Sequence, residues 1–119
     1  MIINGRDIQF RRTVKATCDV ADICPEGNVK NLDKLFEGKY QNSQAKAAKF
    51  MAILSEGYEM GKKFADPTYR PNPLTEEEAL YLSEDDFNSL FSLAVNEWTG
   101  ETPTVETKPT KSKKKATEQ

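Results

Sequence analysis

The sequence predicts a mostly α-helical α+β domain over residues 1–100, an N-terminal β-hairpin packed on a bundle of about five helices, followed by a flexible Lys/Thr-rich tail, 101–119. Three observations carry that prediction. Asn4-Gly5 lies between short apolar runs, a strong local signal for a hairpin. From Thr13 to Gly100, apolar residues recur at helical spacing between capping hydroxyls, prolines and glycines. After Gly100 the periodicity stops, and Thr, Lys and Pro dominate, a composition expected to be disordered. A length of 119 residues suits one domain.

The elements follow in order. In MIINGRDIQF both turn residues tolerate positive φ. Ile2 precedes the turn, and Ile8 and Phe10 follow it at period two, with Asp7, Gln9 and Arg11 on the opposite face. A lone hairpin is marginal, so Ile2, Ile8 and Phe10 are expected to lie on the long helix. Thr13 caps a helix from Val14 to about Ile23 with Val14, Cys18 and Ala21 as its apolar stripe. Pro25 and Gly27 of CPEG stop it. Asn31 is expected to cap a short helix with Leu32, Leu35 and Phe36 inward and Gly38 at its end.

Ser43 opens the main helix, which runs to about Ala65 on a stripe of Ala47, Phe50, Met51, Leu54, Tyr58, Gly61 and Phe64. DPTYRPNP ends it in an extended, stiff connection. Thr75 and Glu78 have the spacing of a capping box for a helix whose apolar side is Ala79, Leu80 and Leu82. Ser83 caps the last helix, striped by Phe87, Leu90, Phe91, Ala94 and Trp98 and stopped by Gly100. The expected core is Ile8, Phe10, Val14, Cys18, Leu32, Leu35, Phe36, Phe50, Met51, Leu54, Tyr58, Phe87, Leu90, Phe91 and Ala94.

Charge is uneven along the chain. Residues 1–100 carry twelve basic and sixteen acidic residues, whereas 101–119 carry five Lys and three Glu. Phosphate recognition needs clustered Lys and Arg, so the body is not expected to bind nucleic acid. No apolar run reaches membrane-spanning length. The first ten residues meet a charge at Arg6, so no secretory core is expected. A reducing cytoplasm fits these features.

Catalytic groups are sparse. The chain has no histidine and two cysteines, Cys18 and Cys24. Six residues apart on one helix, they neither bridge nor supply a zinc pattern. Cys24 before Pro25 reads as a helix-end packing residue. The triplets Glu76–Glu78 and Asp85-Asp86 with Glu84 sit in first helical turns, where the helix dipole favours negative charge. No catalytic residue, metal ligand or cofactor site is therefore expected.

Partner-binding candidates are Gly57 and Gly61, whose spacing of four suggests close approach of another helix, from this chain or another. Tyr69 and Arg70 on the proline-rich loop are further candidates, because aromatics and Arg dominate binding hot spots; such a tyrosine also commonly folds back on its own helix.

The order INGRDIQFRRTV, DVADICPEG, QAKAAKFMAILSEGYE, DPTYRPNPLTEEEALYLSEDDF and a charged tail resembles the small tail assembly chaperones of long-tailed bacteriophages and prophages. The resemblance spans residues 1 to about 100. It implies a non-catalytic protein that binds the tape-measure and tail-tube proteins during tail morphogenesis and is absent from the virion. It also implies the short product of a frameshifted pair, with an adenine-rich slippery run under Lys113, Lys114 and Lys115; an ordinary solvated tail stands beside that reading. Self-association is a further expectation. The alternative is a structural morphogenesis protein, a connector or minor tail component that stays in the particle.

Overall fold

A computed structural model describes residues 1–36 and 43–100. Two strands, β1 (Ile2–Ile3) and β2 (Arg6–Asp7), are followed by five α-helices: α1 (Val14–Ile23), α2 (Leu32–Leu35), α3 (Ser43–Ala65), α4 (Glu76–Leu80) and α5 (Glu84–Thr99). Single 3₁₀ turns over Pro25–Gly27 and Val29–Asn31 join α1 to α2. The expectations for Gly38 and the tail fall outside the described residues, as does the side chain of Leu35.

The hairpin turns at Asn4-Gly5 with φ of 52° and 79°, both in the left-handed region. This two-residue turn pairs Ile2 with Asp7 and Ile3 with Arg6, and the Ile8 amide donates to the Met1 carbonyl at 2.8 Å. The register corrects the expected inward face. Ile3 and Ile8 are buried, whereas Ile2 shares the outward face with Asp7 and is 66% exposed. Residues directly opposite in a ladder share a face, so Ile2 follows Asp7 into solvent. Phe10 is partly buried against the core.

In α1, the Thr13 hydroxyl accepts the Ala16 amide at 3.0 Å, as expected of the cap. The stripe is displaced. Ala16 and Val20 are buried, while Val14 is 84% exposed and Cys18 is exposed. Two residues separate these stripes, about 200° round the helix. The choice between them is made outside α1: the Arg11 amide donates to the Leu54 carbonyl at 3.0 Å, which fixes how the chain enters the helix. Cys24 is buried at the helix end, in keeping with a packing role. Asn31 does not cap α2 with its side chain; it donates to the Pro25 carbonyl at 2.9 Å, bracing the preceding turns.

Helix α3 is the axis of the fold, 23 residues long, or about 34 Å. Phe50, Met51 and Leu54 are fully buried on it. Two polar residues, Ser55 and Glu59, are also buried and were not foreseen. Each holds part of the proline-rich return. The Leu74 amide donates to Ser55 Oγ at 2.8 Å, and the Asn72 amide and Tyr69 hydroxyl donate to Glu59 Oε1 at 2.9 and 2.6 Å. The spacing explains the match. Four helical residues rise about 6 Å, and two residues of extended proline-type chain span about the same length. Pro71 and Pro73 have no N–H, so Asn72 and Leu74 carry the amides that need partners, and Glu59 and Ser55 meet them in step.

That return lays Leu74 and Ala79 against α3. The Thr75 hydroxyl accepts the Glu78 amide, but the Glu78 carboxylate does not complete the box. It accepts from Arg6 at 2.6 Å, tying α4 to the hairpin. Leu80 is exposed. Ser83 caps α5 through the Asp86 amide, and Gly100 ends it at φ 82°. Leu90 and Ala94 are buried, with Phe87, Phe91 and Trp98 packed at the core edge. Phe36, Phe50, Phe91 and Trp98 form edge-on ring contacts with centroids 4.8–6.2 Å apart. Arg12 clasps the end of α5: its guanidinium lies 3.7 Å from the Trp98 ring centroid and donates to the Trp98 carbonyl.

Candidate functional site

The expected inward stripe of α3 fails at its C-terminal end. Ten residues at about 100° each carry Phe64 roughly 80° round from Leu54, and Phe64 is 80% exposed. Tyr58 is only half-buried. Phe64 belongs instead to a second row, Ile53, Gly57, Met60 and Phe64, at spacings of four, three and four. This row and the start of α1 enclose an open apolar groove of about 290 Å³. Val14 and Ala16 form its α1 wall.

Gly57 shapes the groove by necessity. A Cβ at that position would stand 2.5 Å from the Arg11 carbonyl oxygen and 3.2 Å from Thr13 Cγ2. The close approach inferred from the glycine spacing is real, but the neighbour is the Arg11–Thr13 linker and not a helix. Gly61 is looser, with only an Arg11 Nη1 at 3.4 Å. Lys15 and Glu56 put charge on the groove's rim. Lys15 Nζ reaches Asp19 at 2.6 Å and Glu56 at 3.3 Å; Lys63, in the last turn of α3, precedes the groove residue Phe64.

Tyr69 and Arg70 do not join this site. Tyr69 is anchored to Glu59, which lies about 200° round α3 from Gly57. The hydrogen bond to that carboxylate and desolvation push the Tyr69 hydroxyl up to about 12, and Lys62 Nζ sits 4.8 Å from its ring. Tyr69 therefore fastens the loop to its own helix. Arg70 is exposed beside it. Sequence reasoning found the two glycines but missed Val14, Ile53, Met60 and Phe64 as groove walls. The four-three-four spacing on α3 is the signal that would have found them.

The remaining reactive groups have structural explanations. Glu76, Glu77 and Glu78 occupy the first turn of α4, and Glu84, Asp85 and Asp86 that of α5. Among the described residues, no group of three or more acidic or thiol side chains converges on a metal-sized site. Both cysteines are free, and burial pushes the Cys24 thiol up, away from the reactive thiolate. No helix among the described residues is long and apolar enough to cross a membrane. The groove can seat apolar side chains of a polypeptide and offers charge on its rim to orient them. Comparison of the chain with protein-family models, curated proteins and solved structures gives no match in any of the three.

Proposed function

We propose that this chain is a non-catalytic tail assembly chaperone of a long-tailed bacteriophage or prophage, acting in the host cytoplasm on the tape-measure and tail-tube proteins. The observation that supports this reading best is the apolar groove between α1 and α3, open and rimmed by both signs of charge. An assembly chaperone must hold its client and then release it, and a small, partly wet apolar surface gives that reversibility. The likeness in the order of sequence segments supplies the identity of the client.

The test is co-expression of the full chain with the tape-measure and tail-tube proteins from its own gene neighbourhood, followed by affinity capture. The tape-measure protein should co-purify, and Phe64→Asp should reduce its recovery at least tenfold. Mass spectrometry of purified virions should not find the chain. Recovery of neither client, or stoichiometric presence in virions, overturns the reading; the second outcome assigns a structural tail component instead.

A further inference from the structure

The groove carries a projection and a hollow side by side. Phe64 and Val14 stand out from the surface, and the hollow lies over Gly57 and Gly61. A two-fold interface uses one patch on both subunits, so the patch must complement itself. We propose that in the free protein this groove is covered by a second copy of the chain, with the C-terminal halves of two α3 helices antiparallel about a two-fold axis and Phe64 of each seated in the other's hollow.

Charge complementarity selects a second copy as the occupant. One end of the groove holds two carboxylates, Asp19 and Glu56, around the single Lys15. Towards the C-terminal end of α3 stand Lys63, one residue before the groove residue Phe64, and the Arg11 guanidinium beside Gly61, and neither has an ion-pair partner among the described residues. An antiparallel copy lays each basic end on an acidic end. Glu56 and Lys63 are seven residues apart, two helical turns, so they lie on the same flank of α3. A two-fold keeps equivalent flanks together and brings Glu56 of one copy to Lys63 of the other, twice. The covered patch is smaller than the roughly 800 Å² per partner of a standard stable interface, which places the dimer in the weak class. The proposal concerns the free protein and stands apart from the identity of any client.

Sedimentation equilibrium of the full chain tests it. Between about 10 μM and 1 mM, the range suited to a weak interface, the mass should rise from 13.4 kDa towards twice that value. Phe64→Asp should raise the dimer Kd at least tenfold with an unchanged circular dichroism spectrum, because Phe64 contributes little to its own fold. Glu56→Lys and Lys63→Glu should each weaken association, and the double variant should restore it. A mass fixed at the monomer value overturns the proposal. So does a dimer indifferent to Phe64→Asp, or a double variant no better than the singles. In a monomer, nuclear Overhauser contacts from Val14 or Met60 to Val105 would assign the groove to the chain's own C-terminal segment; their absence would leave it to a foreign polypeptide. Either result refutes the second copy.

Discussion

Alanine at Gly57 and at Gly61 should change stability in opposite directions, although the two sites are one helical turn apart. Replacing a helical glycine by alanine gains about 1 kcal/mol of propensity. At Gly61 the new methyl meets the end of a flexible arginine at 3.4 Å, an ordinary contact, so most of that gain should survive. At Gly57 it meets the Arg11 carbonyl oxygen at 2.5 Å, where even a close C···O contact is about 3.3 Å. The linker would have to retreat by about 0.8 Å. Its Arg11 amide is held by the Leu54 carbonyl at 3.0 Å, a bond worth about 0.5–1.5 kcal/mol net. Overpacking adds about 1–3 kcal/mol.

Set against the propensity gain, Gly57→Ala should destabilise by about 1–3 kcal/mol, lowering Tm by about 5–20 °C for a domain of this size. Gly61→Ala should raise Tm by a few degrees, on the order of 3–6 °C. Urea unfolding followed by fluorescence of Trp98, the one tryptophan, reads both, with unchanged m-values as the check that the two-state comparison holds. If Gly57→Ala is neutral or stabilising, the linker does not rest on that glycine and the account of the groove's shape is wrong.

Leu54 is fully buried, so Leu54→Ala should cost about 2–5 kcal/mol in the same assay; a loss below about 0.5 kcal/mol, the scale of an exposed site, would put the core elsewhere. Val20→Ala should destabilise by about 1 kcal/mol or more, whereas Val14→Ala, at an exposed position, should stay within about 0.5 kcal/mol; the reverse order would restore the first-predicted face of α1. Tyr69 retains its proton more firmly folded than unfolded, so its hydrogen bond to Glu59 contributes fully below pH 10 and is lost as pH rises towards about 12. Glu59→Gln should lower that late phenol titration, read by carbon NMR of the Tyr69 ring.

The short-range grammar of the chain was legible residue by residue. Asn4-Gly5 turns the hairpin, Thr13, Thr75 and Ser83 cap their helices, Pro25 and Gly27 stop α1, and Gly100 stops α5. Each rests on groups a few residues apart, so the sequence window contains the whole cause. The inward position of Ile3 over Ile2 was also within reach, because a two-residue turn dictates that Ile2 sits opposite Asp7.

Part of the candidate site was legible as well, since the spacing of Gly57 and Gly61 announces a close approach. Its partner was not, because the partner is the Arg11–Thr13 linker, more than forty residues away in the chain. The same distance hid the rest. Val14 and Val20 are equally apolar, and contacts from outside α1, among them the Arg11 amide on the Leu54 carbonyl, turn one outward and the other in. Ser55 and Glu59 read as surface residues until the proline-rich return lays its two free amides on them.

Local sequence thus determined where helices and turns begin and end, because backbone conformation and capping are settled by near neighbours. Which face of each helix is buried was decided only by the tertiary structure. Burial depends on which distant backbone atoms need the same space or the same hydrogen bond, and those neighbours exist only once the chain has folded.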